Sequence, residues 1–357
     1  MDRLKVIQWT TGKVGKMALR AILDDSRLEL VGVYAHSSDK VGVDAGAICG
    51  RADCGIAATD DIDALIALGA DAVVYAPFIA NLEHLERLLE SGCNVVSTSL
   101  LSNLGGIVGN VRAALDAACI SGSSSFHITG INPGWLDTLA SVVTPICRGI
   151  DSITVTESVS VAHYESAETW LAVGMSMSSA TPAVIESAQG ALISFRDSVL
   201  RLAEALELTL DDVAFVADYA TAAEPVELGW FRIEQGTHAA LRGGWDGRIA
   251  GRTVISYRVI WYMTRALNEG WAIDRHNYLV DVKGEPDVEL RVSVKTPKHW
   301  SNLEHAIATA LPAVNAIGQV KAAPPGVLGL RGAGLPAAPV GVWQANAAVP
   351  AMAATAS

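Results

Sequence analysis

Residues 6–16 read VIQWTTGKVGK, a short apolar strand followed by a turn and the start of a helix. On the dinucleotide-binding pattern G-x-G-x-x-G, Gly12 and Gly15 take the second and third glycine positions, and Thr10 replaces the first. The bare backbone at Gly12 lets amide groups approach a pyrophosphate at the helix N-terminus, and Gly15 lets helix and strand pack closely. The alternative is an ordinary strand-to-helix turn. The segment predicts a dinucleotide site made by Thr10, Thr11, Gly12, Lys13, Val14 and Gly15.

Short apolar runs alternate with helical patterns from the start of the chain to about residue 130. The apolar runs are typical of buried parallel strands and lie at 5–9, 28–34, 72–75, 94–98 and 125–129. Helical spacing occurs between them, with Asn81 and Asn110 as predicted N-caps. This alternation predicts an α/β fold, with a doubly wound parallel sheet of Rossmann type in a dinucleotide-binding domain over residues 1–150.

The pattern changes after about residue 150. Residues 153–161 place apolar side chains mostly on one face, which predicts an antiparallel strand whose other face is exposed to solvent. A helical run at 185–206 precedes further strand-like runs at 213–219, 225–240, 252–262, 277–283 and 287–295. Together they predict an α+β substrate and dimerisation domain over residues 151–322. The Ala-, Pro- and Gly-rich residues 323–357 are expected to be a strand-free, partly disordered tail.

The composition excludes several classes of protein. The formal net charge of −12 argues against nucleic acid as a partner. Half of the residues are hydrophobic and only 18% are charged, so we expect a folded oligomer with a buried subunit interface. Five scattered cysteines without paired metal spacing predict reduced thiols in the cytoplasm and no metal site. Neither a long apolar run nor a cationic leader is present, so we expect no membrane insertion and no secretion.

The tip of the second strand bears on the choice of nicotinamide cofactor. An acidic residue about 20 residues past the glycines would hold the ribose 2′-hydroxyl of NAD. Here the tip offers hydroxyls and positive charge instead, from His36, Ser37, Ser38 and Lys40. Asp39 lies beyond the position expected for that acidic residue. The tip therefore favours NADPH over NADH, with a solvated loop as the alternative.

Four landmarks occur in a fixed order, at residues 9–15, 36–46, 130–135 and 313–317, the last leading to 322–326. With them the sequence resembles the dihydrodipicolinate-reductase-like proteins that include 2,4-diaminopentanoate dehydrogenase and the native NAD(P)H-dependent amine dehydrogenases. The similarity extends over nearly the whole chain to about Leu328. It implies a Rossmann domain, a substrate domain that completes a cleft, a homodimer, and hydride transfer between nicotinamide C4 and a C=N or C=O carbon.

The resemblance also implies which residues line the cleft. Asn132 and Pro133 would lie near cofactor and substrate, with a plain hinge as the alternative. His163, Tyr164 and Glu165, joined by Glu168, end the first strand of the second domain and are predicted to be catalytic, because histidine and tyrosine can deliver protons. A polar sheet edge is the competing interpretation. The predicted cofactor contacts are completed by Ala76, Pro77, Thr98 and Ser99, which follow the third and fourth apolar runs.

One departure from the family affects the expected reaction. In the amine dehydrogenases an acidic residue shortly after the family's fifth strand, which corresponds to the apolar run at 94–98 here, helps to activate ammonia, but residues 95–103 read VVSTSLLSN and contain no acid. Leu100 cannot transfer a proton, and serine hydroxyls such as Ser102 do so poorly. We therefore expect carbonyl or imine reduction of a small to medium, mainly apolar compound. A true ammonia-dependent amine dehydrogenase and a catalytically silent NADP-binding sensor or scaffold are the alternatives.

Overall fold

The computed structural model describes residues 3–99, 101, 104 and 106–330. The predicted tail beyond residue 330 lies outside the described residues, as do Leu100, Ser102 and Asn103 of the segment that lacks an acid. Two large sheets with helices packed on them make up the fold. No helix in the described part of the chain has the length and apolar character needed to cross a membrane.

The first sheet lies in the N-terminal part and is parallel throughout. Among the described residues its strands are β1 (Leu4–Trp9), β2 (Leu28–Tyr34), β3 (Ala58–Thr59), β4 (Ala72–Tyr75), β5 (Asn94–Ser97), β6 (Ser125–Ile128) and β15 (Gly326–Val327). Their spatial order is β15-β6-β5-β4-β1-β2-β3. The central strands are mostly apolar and almost fully buried, since helices cover both of their faces. The predicted doubly wound, Rossmann-type sheet is thereby confirmed.

Helices cover both faces of this sheet. They are α1 (Lys13–Asp24), α2 (Ala45–Cys49), α3 (Ile62–Ile66), α4 (Leu82–Glu90), α5 (Gly109–Gly122), α10 (Asn302–His305) and α11 (Ile307–Ala322). Asn81 caps α4 as predicted, since its side chain accepts a hydrogen bond from the His84 amide at 3.2 Å. The predicted cap at Asn110 is wrong. Val108 is the extended residue before α5, so Asn110 lies inside the first turn.

The C-terminal helix belongs to the first sheet, which departs from the predicted second domain ending at residue 322. Ala313, Val314 and Ile317 of α11 are buried in one apolar cluster with α1 and strands of the first sheet. The helix provides the cover that β5 and β6 need on that face. The chain then adds β15 beside β6, so the expectation of a strand-free segment after residue 322 is also wrong.

The second sheet is mixed and confirms an α+β second domain. In the described part of the chain its strands are β7 (Gly149–Ser160), β8 (Asp212–Thr221), β11 (His238–Ile249), β12 (Arg252–Tyr262), β13 (Tyr278–Glu285) and β14 (Val288–Val292). They lie in the order β14-β13-β7-β12-β11-β8. The accompanying helices are α6 (Leu136–Val143), α7 (Ala167–Ala172), α8 (Pro182–Ala191) and α9 (Ile193–Ala205), of which α6 and α9 pack against the sheet.

Three local predictions in this domain need correction. The first strand, β7, is antiparallel to β13 but parallel to β12. The predicted strand at 225–240 is broken, because turns at Gly229 and Gly236, both at φ +80°, leave only the short ribbon β9 (Val226–Glu227) and β10 (Arg232–Ile233) before β11. The helical run at 185–206 is divided at Leu192 into α8 and α9.

Candidate active site

The turn between β1 and α1 is held in shape by its own strand. The Gln8 side-chain amide donates hydrogen bonds to the carbonyl oxygens of Trp9 at 3.2 Å and Thr10 at 3.0 Å. A Cβ at Gly15 would collide with the Thr10 carbonyl, so this glycine is required by helix–strand packing. A Cβ at Gly12 would meet no atom within 4 Å. Gly15 therefore serves the fold, whereas Gly12 faces open space.

The open space at Gly12 has the properties of an anion site for a dinucleotide. Gly12 is the N-cap of α1 and no side chain caps this helix, so its first amides are available to a ligand. The buried hydroxyl oxygens of Thr10, Ser37 and Ser99 lack a hydrogen-bond partner among the described residues. Donors arranged in this way fit the phosphates and ribose hydroxyls of a nicotinamide dinucleotide. That cofactor, when bound, supplies a hydride to its substrate.

The tips of the neighbouring strands bring other predicted cofactor residues to the same edge of the sheet. The Ala76 amide donates to the Trp9 carbonyl, and the Thr98 amide donates to the Tyr75 carbonyl, both at 3.0 Å. Pro77 and Ser99 follow directly. In the loop after β2 the Lys40 ammonium lies 3.5 Å from the Thr11 carbonyl. His36 and Ser38 are exposed.

The segment that follows β7 reaches across to this edge. The Tyr164 ring lies 5.4 Å from the Lys13 ammonium. The backbone carbonyl of Tyr164 accepts a hydrogen bond from Trp170 Nε1 at 2.8 Å. The His163 ring lies 4.6 Å from that of His305. Burial, with a smaller contribution from His305, lowers the pKa of His163. Tyr164 therefore stands beside the turn between β1 and α1, and His163 beside His305. The side chains of His163, Tyr164, Glu165 and Glu168 are all exposed.

The structure adds a carboxyl group that the sequence analysis missed. Glu157 Oε1 accepts a hydrogen bond from Trp261 Nε1 at 2.8 Å, and Oε2 accepts one from the Asn132 side-chain amide. Asn132 is oriented by Tyr257, whose hydroxyl donates to Asn132 Oδ1 at 2.6 Å. Glu157 on the second sheet is thereby joined to the residue that follows β6 of the first sheet. Its side chain is half-buried rather than sealed from the cleft.

Glu157 could have been found from the sequence by its position in the strand alternation. It lies at even spacing from Ile153 and Val155, which face the core of the second domain, and from Val159 and Val161. A carboxyl group on the apolar face of a strand is an informative exception, because acidic side chains are seldom buried without a partner. The predicted alternation of residues 153–161 assigned small polar residues to the opposite face and did not account for Glu157.

Aromatic rings surround the carboxyl group. Tyr278 is the cross-strand partner of Glu157 and packs edge-on against Trp135 at 5.2 Å. The Trp261 ring packs edge-on against Trp170 at 5.6 Å and against Phe195 at 6.0 Å. Burial raises the pKa of Glu157, against a smaller opposite effect of its two N–H donors. The arrangement can present a proton to a ligand while keeping an apolar wall around it.

Beneath this network lies a buried ion pair. Asp137 Oδ2 accepts a hydrogen bond from the Gly134 amide at 2.9 Å and lies 3.4 Å from the Arg201 guanidinium. Burial raises the Asp137 pKa, and Arg201 opposes the rise. On the neighbouring turn of α9, both oxygens of Asp197 accept the Ile107 amide at 3.1 Å. These contacts fix α9 against the turn after β6 and against the segment after β5.

The cysteines form no metal site in the part of the chain that the structure describes. Cys54 is exposed and Cys49 is buried, and both are free thiols. No group of three or more potential metal ligands occurs among the described residues.

Comparison with known proteins divides the chain into two matched parts. Residues 6–100 match the family model for the dihydrodipicolinate reductase N-terminus. Residues 135–348, more than half of the chain, match the model for the 2,4-diaminopentanoate dehydrogenase C-terminal domain.

Individual relatives match different shares of the chain. An amine dehydrogenase of Streptomyces virginiae is 28% identical over 311 residues, which cover 81% of this chain and 84% of that protein. A 4-hydroxy-tetrahydrodipicolinate reductase of Neisseria gonorrhoeae is 30% identical over 148 residues, 40% of this chain and 54% of that protein. The solved amine dehydrogenase from Mycobacterium smegmatis superposes with a TM-score of 0.71 at 20% identity, covering 96% of this chain and 98% of that one. This last likeness concerns the fold.

Proposed function

Because this chain belongs to the 2,4-diaminopentanoate dehydrogenase family and is an NAD(P)H-dependent oxidoreductase, we propose that it reduces the C=O or C=N carbon of a small to medium, mainly apolar substrate. One observation carries the proposal: the open turn at Gly12 and the aromatic-walled carboxyl group of Glu157 lie on two domains that meet at Asn132. Nicotinamide and substrate would therefore share one cleft. The direct test follows NADPH absorbance over a panel of ketones, aldehydes and cyclic imines, with and without ammonia.

We propose NADPH as the preferred cofactor. The ammonium of Lys40 is held beside the first turn by the Thr11 carbonyl, and the buried Ser37 hydroxyl has no protein partner among the described residues. A 2′-phosphate would accept hydrogen bonds from both groups, whereas the ribose of NADH offers them only a hydroxyl.

Replacing Lys40 with alanine is expected to weaken NADPH binding about tenfold and to change NADH binding little, because only the 2′-phosphate loses a charged partner. Calorimetric titration of both cofactors measures the two dissociation constants. Lys5→Ala, an exposed lysine at the start of β1, is the matched control. An equal loss of affinity for both cofactors would show that Lys40 serves a shared part of the molecule and not the 2′-phosphate.

The predicted proton donors His163 and Tyr164 are proposed to act on carbonyl substrates. A developing alkoxide needs one proton; the Tyr164 ring lies over the Lys13 ammonium at the β1–α1 turn, and His163 is the residue before it. Tyr164→Phe removes the hydroxyl but keeps the ring over Lys13. We expect it to lower kcat for ketone reduction roughly 100-fold without changing NADPH affinity, and His163→Ala to act in the same direction. Wild-type turnover by both variants in steady-state assays would mean that the proton comes from another group.

Ammonia-dependent amination is the second candidate function, and Glu157 favours it. The sequence argument against amination depended on the absence of an acid after β5. A carboxyl group that enters the cleft from β7 could accept protons during carbinolamine formation. Faster NADPH consumption with a ketone plus ammonia than with the ketone alone would support this function.

We also propose a cytoplasmic homodimer. Support comes from the reduced cysteines, the hydrophobic content of 50%, and large exposed apolar side chains such as Ile120, Ile146 and Phe78. Association of two copies would remove part of such surface from water.

A further inference from the structure

Resting on the proposed function, we propose that Glu157 is a catalytic residue that binds the substrate nitrogen, so that the site prefers imines and their product amines over ketones of the same shape. One N–H donor contacts each oxygen of the Glu157 carboxyl group, from Trp261 and from Asn132. Each oxygen keeps a further lone pair, and the side chain is partly rather than fully buried. The group is thus fixed in direction without being fully satisfied.

Asn132 acts as a positioning residue for this carboxyl. Its amide orientation follows from Tyr257, whose hydroxyl donates to Asn132 Oδ1 and so turns the NH₂ group toward Glu157. Because Asn132 also follows β6 at the edge of the first sheet, it fixes Glu157 relative to the cofactor side of the cleft. Two domains therefore determine where the carboxyl group points.

The surroundings of Glu157 suit a cationic nitrogen. No lysine or arginine forms an ion pair with Glu157 among the described residues. Its near neighbours are the rings of Tyr278, Trp261 and, one layer away, Trp135 and Trp170. Aromatic faces attract cations, and a half-buried carboxyl group without a basic partner is stabilised by one. An iminium or ammonium nitrogen supplies that charge, and the rings accommodate its apolar substituents.

The chemistry distinguishes nitrogen from oxygen. An imine nitrogen is basic enough to take a proton from a carboxylic acid, whereas a carbonyl oxygen is a much weaker base and receives only a hydrogen bond. Glu157 donates its proton to the imine nitrogen and later recovers one from water. With the hydride that the bound cofactor supplies, imine, reduced cofactor and one proton give amine and oxidised cofactor, so atoms and electrons balance.

The test compares Glu157→Gln with the wild type on a matched pair of probes, 2-methyl-1-pyrroline and cyclopentanone. We expect kcat/KM for the imine to fall roughly 100-fold and the imine-to-ketone ratio of kcat/KM to fall at least about tenfold, while the NADPH dissociation constant stays within about threefold. Glu186→Gln, an exposed glutamate on α8, is the matched control. Equal losses on both probes, or no loss on either, would overturn the assignment.

A binding measurement tests the same assignment without turnover. Calorimetry with 2-methylpyrrolidine, which is cationic at neutral pH, should show at least about tenfold weaker binding to Glu157→Gln, whereas neutral cyclopentanol should bind both proteins alike. If the glutamine variant does not fold, Glu157→Asp keeps the charge at a shorter reach and should lose amine affinity more than alcohol affinity. Unchanged amine affinity in a folded variant contradicts the proposal.

Different results would contradict the proposed function and the proposed role of Glu157. If the wild type binds NADPH but reduces neither probe, the proposed function is wrong and with it the role of Glu157. If the wild type reduces both probes and Glu157→Gln keeps the same ratio between them, only the role of Glu157 is wrong.

Discussion

Replacing Gly12 with aspartate is expected to abolish cofactor binding while leaving the fold intact. A side chain at this position meets no protein atom within 4 Å, and the Gly12 backbone, at φ −69°, is open to any residue. The change therefore affects only what binds there. It would place a carboxylate at the uncapped N-terminus of α1, where the pyrophosphate is expected, so two negative charges would compete for the same amides. We expect the dissociation constant for NADPH to rise at least about 100-fold.

The fluorescence of Trp9 offers a direct readout of this change. Trp9 stacks on Tyr34 at a ring distance of 4.3 Å and lies three residues before Gly12. Titration with NADPH should alter tryptophan emission in the wild type and not in Gly12→Asp. Gly12→Ala separates bulk from charge and should lose much less affinity. If Gly12→Asp bound NADPH with wild-type affinity at an unchanged melting temperature, the pyrophosphate could not bind at this turn.

Replacing Arg201 with leucine is expected to destabilise the protein by about 3 to 5 kcal/mol, because it leaves a buried carboxyl group without its cation. The side chains of Arg201 and Asp137 are 5% and 0% exposed. Asp137 accepts a hydrogen bond from the Gly134 amide, so the loss should also loosen the turn after β6. Chemical denaturation monitored by circular dichroism measures the free energy of unfolding.

An exposed ion pair in the same region is the control for this prediction. Arg112 pairs with Glu204 at 2.8 Å, but these side chains are 35% and 46% exposed. Water screens such a pair, so Arg112→Leu should cost less than about 1 kcal/mol. Similar losses for the two variants would contradict the assignment of the buried pair as the stronger contribution.

The first sheet could be predicted from the sequence because its signals are local. Valine and isoleucine runs between helical patterns specify buried parallel strands, and the glycine turn marks the first crossover. The family could be recognised for the same reason, because its landmarks are contiguous motifs. Matches to two family models confirm this resemblance. The place of α11 could not be predicted. Its apolar stripe shows that it packs, but the partner is a sheet almost 200 residues earlier in the chain.

The candidate site shows the same division. Gly12 and Gly15 lie in one local motif, and the structure brings Lys40, from the loop after β2, to the Thr11 carbonyl of that motif. The environment of Glu157 depends on the register of β7 against β12 and β13, which brings Trp261 and Tyr278 next to it. Three segments far apart in sequence form its environment, and periodicity within one strand does not reveal them. Residues 95–103 contain no acid, whereas the structure places the Glu157 carboxyl beside Asn132, a group that the sequence analysis did not single out.

The most direct test of the account uses NADPH dideuterated at nicotinamide C4, incubated with the wild-type protein and 2-methyl-1-pyrroline. We predict 2-methylpyrrolidine with one deuterium on the carbon next to nitrogen, detected by mass spectrometry, because the proposed cleft would bring that carbon to the cofactor. Bound NADPH without labelled product from this imine, or from any ketone or aldehyde of the panel, would contradict the account and leave a cofactor-binding protein without turnover.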